Sequence, residues 1–186
     1  MPVSDSTFFA ADGGTRVDRT FAFVDLSGFT AYTDSEGDAE ATHVLAVFRS
    51  AVRELAAARA VRIAKWLGDG AMLVAVETEP AVEAVIDIER RIDESGSPLA
   101  LRAGLAAGPV ILFEGDDYIG QPVNLASRLC DMAQPHEVLA PASIMSSLLV
   151  NTKAVPIGAR RISGFAHSID LVRLVAADGR EPIHHS

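Results

Sequence analysis

The chain has 186 residues, 49% of them hydrophobic, which is enough for one domain with a substantial core and too little for a second of similar size. Its 16 Lys and Arg against 25 Asp and Glu give a net charge of -9, which repels nucleic-acid backbones and anionic lipid, so neither is an expected partner. A lone Cys130 excludes an internal disulfide, no apolar run reaches the roughly 20 residues a membrane-spanning helix needs, and residues 1–7 carry no basic start, so the expected location is the cytoplasm, away from membranes.

In chain order, residues 1–18 are polar and contain Gly13-Gly14, which predicts a flexible leader. Folded structure is expected over 19–176, with a polar tail at 177–186. The alternation over 20–26 predicts a strand with Asp25 at its end. From Asp38 onward Val44, Phe48, Ala51, Val52 and Leu55 recur at helical spacing. Residues 61–67 and 71–76 flank Gly68-Asp69-Gly70, and Asp-Gly between apolar runs marks a hairpin because both positions tolerate positive φ. Asp69 is thereby placed at a hairpin tip.

A helix is expected over 80–93, ended by Gly96-Ser97-Pro98, then strands over 99–107 and 110–113 around Gly108-Pro109. Pro122 suits the first turn of a helix to about Ala133, since its missing amide proton has no partner there anyway. A strand at 138–140, a short helix at 143–149 and strands near 155–157 and 169–175 complete the pattern. This order predicts an α+β fold: a ferredoxin-like core with a mainly antiparallel sheet and helices packed mainly on one face.

Three segments carry candidate chemistry: Phe23-Val24-Asp25-Leu26-Ser27-Gly28-Phe29-Thr30, then Lys65-Trp66-Leu67-Gly68-Asp69-Gly70, then Asp117-Tyr118-Ile119-Gly120-Gln121-Pro122-Val123-Asn124-Leu125-Ala126-Ser127-Arg128. Read singly, each has a plain structural explanation. Asp25 or Ser27 caps a helix, Asp69 forms a turn, Lys65 snorkels from a strand, Asp117 is a loop acid, and Asn124 with Arg128 forms a solvated helix stripe. The five His residues show no metal-ligand spacing, and no P-loop or nucleophile elbow is present.

Together the segments resemble, in order and spacing, the class III nucleotidyl cyclases, the family of adenylate and guanylate cyclase catalytic domains. The resemblance covers roughly residues 19–175. It implies that Asp25 and Asp69, with the Leu26 backbone carbonyl, bind two divalent cations, Mg²⁺ or Mn²⁺. It implies that the Gly28, Phe29 and Thr30 backbone holds the triphosphate, that Lys65 and Asp117 read the purine, and that Asn124 orients the ribose while Arg128 stabilises charge on the α-phosphate. Adenine offers an acceptor at N1 and a donor at its amine, so a Lys and an Asp match ATP, whereas guanine reverses both polarities.

The expected activity is therefore that of an adenylate cyclase forming 3′,5′-cyclic AMP and pyrophosphate from ATP in a homodimer with sites shared between chains. A guanylate or dual-specificity cyclase, and a nucleotide-binding or scaffolding module of the same fold, are the rivals. Two features depart from the family pattern. The connection from Gly108 to Asp117 is shorter than in many members, and Ser163-Gly164-Phe165 lacks the Lys some members use on phosphate, with Arg160 and Arg161 nearby.

Overall fold

Period-two alternation of apolar residues builds a long central strand, β1 (Thr15–Leu26), and sends its side chains to two different cores. The computed structural model describes residues 14–146 and 148–178. After β1 come α1 (Phe29–Glu36), α2 (Asp38–Ala58), the hairpin β2 (Arg62–Leu67) and β3 (Gly70–Ala75), and α3 (Thr78–Glu94). Then follow β4 (Leu101–Phe113), β5 (Asp117–Ile119), α4 (Gln121–Met132), β6 (Val138–Pro141), a 3₁₀ turn (Ala142–Ile144), β7 (Thr152–Arg160) and β8 (Ile169–Ala176).

The strands form one sheet in the order β2-β3-β1-β4-β6-β8-β7, with β5 paired to the end of β4. Every described pairing is antiparallel except β4 with β6. Ala22, Val24 and Leu26 of β1 face the larger core, where α2 contributes Val44, Phe48 and Val52 and α3 contributes Val85, Ile88 and Ile92. Phe48 and Ile88 are fully buried there, each contributing about 1.5–3 kcal/mol of transfer free energy. Phe21 faces the other side with Met72, Val74, Ala106 and Val110, and Ala126 of α4 closes over them.

That arrangement is the mainly antiparallel α+β fold expected, with helices on both faces: α2 and α3 on one, α4 on the other. Other details differ from expectation. β1 begins at Thr15, inside the span read as leader, because Thr15 to Asp18 pair in register with Leu112 to Pro109 of β4, a non-local interaction that polar composition conceals. β4 runs unbroken through Gly108-Pro109, where Gly108 takes a φ of 152° that only glycine adopts readily.

The helix expected over 143–149 is only the 3₁₀ turn, β5 is additional, and the helix expected after Gly28 is α1, separate from α2. Gly37, at φ 88°, divides α1 from α2. Residues 1–13 of the expected leader, residues 179–186 of the expected tail and Ser147 lie outside the described residues. Among the described residues, no helix is long and apolar enough to cross a membrane.

Candidate active site

Asp25 and Asp69 are brought together where β1 ends beside the tip of the β2–β3 hairpin. Asp25 is in register with Gly70, and the Leu26 amide donates to the Asp69 carbonyl at 3.3 Å. Burial holds the Asp25 carboxyl above its ordinary range, the Asp69 charge adds to the rise, and the neighbouring Arg102 opposes it. Arg102 donates through Nε and Nη2 to one oxygen, Oδ2, at 3.0 and 2.7 Å. The other, Oδ1, faces Gly70, where an added Cβ would lie 3.1 Å away.

Glycine at position 70 thus keeps space open beside an unblocked carboxylate oxygen. With Asp69 and the Leu26 carbonyl nearby, the donors are all oxygen, the set that Mg²⁺ and Mn²⁺ prefer. Among the described residues, no group of three His, Cys, Asp or Glu could hold a metal. Two carboxylates fit a Mg²⁺-type ion that completes its shell with substrate phosphates and water.

Gly28 follows directly, at φ 77°, and starts α1 without a side-chain cap. The first bond of the helix runs from the Tyr32 amide to the Gly28 carbonyl at 3.0 Å, so the amides of Phe29 and Thr30 have no partner within the helix. Uncapped first-turn amides form an anion site without any cationic side chain.

Lys65 and Asp117 meet across β2 and β5, with Lys65 Nζ donating to Asp117 Oδ1 at 2.6 Å. Both side chains are about half exposed, and Asp117's hydrogen bond and charge raise the Lys65 pKa. Beside the pair, Arg62 donates at 2.9 Å to the hydroxyl of Tyr118, the residue after Asp117, and the Tyr118 ring packs edge-on against Phe21. A donor and an acceptor are therefore presented side by side at the surface.

Asn124 and Arg128 lie four apart on the exposed side of α4 and line a cavity of about 370 Å³ with Gln121, Ser127, Ser163, Gly164 and Phe165. α4 can sit this close to the sheet because Gly104 lies beneath it: a Cβ there would come within 2.3 Å of the Ala126 carbonyl oxygen and the Cys130 amide. Asp25, Asp69, Lys65 and Asp117 do not line this cavity.

The chain thus holds three separate constellations. Arg102 was not anticipated from sequence. The available signal was a charge inside an apolar strand, and only the β1–β4 register, Asp25 opposite Arg102, identifies its partner.

The adenylyl cyclase CyaB from P. aeruginosa superposes with a TM-score of 0.78, covering 92% of this chain and 99% of that one at 23% identity. The chain has the fold of a class III nucleotidyl cyclase catalytic domain. The catalytic core of a rhodopsin-guanylyl cyclase with converted specificity matches this chain with a TM-score of 0.77, at 19% identity over 88% of this chain and 98% of that one.

Sequence relatives of the chain include an uncharacterised protein of Mycobacterium tuberculosis, 36% identical over 154 residues, and an adenylate cyclase of Streptomyces griseus, 32% identical over 175 residues. These matches take in 83% and 93% of the chain but 40% and 44% of the relatives, so the chain spans less than half the length of the relatives it matches. No family model matches.

Proposed function

We propose that the chain is an adenylate cyclase that converts ATP to 3′,5′-cyclic AMP and pyrophosphate. The ribose 3′-oxygen forms a bond to the α-phosphorus, the bond from that phosphorus to the bridging oxygen breaks, and the hydroxyl proton passes to solvent. The observation that carries the reading is the Lys65–Asp117 pair on a cyclase fold. It offers a donor for adenine N1 and an acceptor for its amine, the opposite of what guanine requires.

Asp25, Asp69 and the Leu26 carbonyl would hold two divalent cations, Mg²⁺ or Mn²⁺. Such ions lower the pKa of an attacking hydroxyl and neutralise a triphosphate. The Gly28, Phe29 and Thr30 backbone would bind the phosphates, compensating for the net negative charge of the chain with local amide dipoles. In the 370 Å³ cavity, Asn124 would orient the ribose and Arg128 would meet the charge that grows on the α-phosphate.

We infer a homodimer in which Asp25 and Asp69 of one chain complete a site with Lys65, Asp117, Asn124 and Arg128 of the other, a division implied by the resemblance to class III cyclases and consistent with the absence of both acids from the lining of that cavity. The direct test measures cyclic nucleotide formed from ATP and from GTP, each with Mg²⁺ and with Mn²⁺. Cyclic AMP should form at least about tenfold faster than cyclic GMP, because the wrong base leaves polar groups unpaired. Faster GTP turnover would reject the base assignment, and absence of both products would reject the cyclase activity.

A further inference from the structure

The tip that carries Asp69 is weakly anchored by its own strands. β2–β3 pairing ends at Leu67 with Gly70, β1–β3 pairing ends at Asp25 with Gly70, Gly68 sits at φ 69° and is exposed, and the described backbone bond beyond these ladders, Leu26 amide to Asp69 carbonyl, is long at 3.3 Å. A second tie comes from outside the sheet. Arg49, on α2, donates through Nη2 to the Gly68 carbonyl at 3.0 Å.

Its guanidinium also lies over the Trp66 ring, 4.9 Å from the centroid, and the same ring packs edge-on against the fully buried Phe48 one residue earlier on α2. The Arg49 Nε is buried without a partner, so the group is committed to its place by the carbonyl and the ring, not by full hydrogen bonding. A second arginine, Arg53, approaches Trp66 at 5.2 Å, and none of its described contacts reaches the tip.

The geometry points to Arg49 as a positioning residue that references the hairpin tip to the rigid α2 core and so fixes where the Asp69 carboxylate stands relative to Asp25. This rests on the proposed metal role of those two acids. Arg49 itself touches neither metal nor nucleotide. Its removal should loosen the pairing of the two carboxylates while leaving the base-reading pair and the α4 cavity as they are.

The test uses Mn²⁺ alone as the probe, with unbound ion counted from its paramagnetic resonance signal in titrations of the full chain. Trp66 is the sole tryptophan, so its fluorescence follows the tip in the same titrations. Arg49→Met should weaken Mn²⁺ binding by about 10- to 100-fold, the usual effect of removing a residue that orients a ligand. The Trp66 signal should move to the same new midpoint, and KM for ATP at saturating Mn²⁺ should stay unchanged.

Arg53→Met, which loses the ring contact but no bond to the tip, should bind Mn²⁺ like the parent. Asp69→Ala separates the two layers of the argument: if it binds Mn²⁺ as tightly as the parent, the metal reading itself fails. If Asp69→Ala weakens binding and a folded Arg49→Met does not, the positioning role is rejected. Should Arg49→Met fail to fold, Arg49→Lys, which can reach the carbonyl or the ring but not both, should give an intermediate loss, and parent-like binding would overturn the inference.

Discussion

Asp25 is held in a position where its charge is opposed: burial outweighs the help from Arg102, and Asp69 adds repulsion. Because its folded pKa is raised, the folded state binds the proton more tightly than the unfolded chain does. Stability from this group is therefore lost as pH rises from the unfolded value through the folded one. Asp25→Asn should remove that penalty, so at pH 8 without divalent cation its Tm should equal or exceed the parent's, while turnover falls at least about 100-fold. A fall in Tm beyond about 3 °C, near 1 kcal/mol for a domain of this size, would mean that the Arg102 pairing outweighs burial. For base choice, Lys65→Glu with Asp117→Cys should lower the ATP-to-GTP rate ratio, chiefly by weakening ATP turnover, since losing a polar match is easier than building its reverse. An unchanged ratio would remove these residues from base reading. These side chains were legible because short local segments carry them. Arg102 was not, since its partner lies 77 positions away and is chosen by strand register.

At the scale of elements, the hairpin, α2, α3 and α4 were readable because turn chemistry and helical periodicity are local signals. The start of β1, the continuity of β4 through Gly108-Pro109, and β5 depend on pairing between distant segments, so composition misplaced or missed them. The approach of α4 to β4 is another non-local feature, and it is sensitive to one atom. Gly104→Ala must push α4 off its seat, since the atoms it meets are backbone. Overpacking of this kind costs about 1–3 kcal/mol. Because Asn124 and Arg128 ride on α4, kcat should fall together with Tm, whereas Mn²⁺ binding at Asp25 and Asp69 should be retained. A Gly104→Ala protein with parental Tm and kcat would show that the helix can yield without consequence.

At the scale of the whole molecule, the proposed division of the site between two chains predicts complementation. Asp25→Ala protein and Arg128→Ala protein, each inactive alone, should regain cyclase activity when mixed, because one site of each mixed dimer has both intact groups. Random pairing at equal amounts makes half of the dimers mixed, so activity should approach about one quarter of the parent's at full association. No recovery, in a mixture shown by an independent label to contain mixed dimers, would reject the shared site.

The sheet separates this chemistry from the main core: α2 and α3 bury the larger cluster on one face, and Asp25 and α4 occupy the other. Losing the acid or the helix arginine should therefore leave a chain still able to assemble. A chain lacking both Asp25 and Arg128 would then poison an intact partner completely, because each of the two shared sites would draw one defective half from it, whereas a chain lacking either one alone would silence only half of the pair.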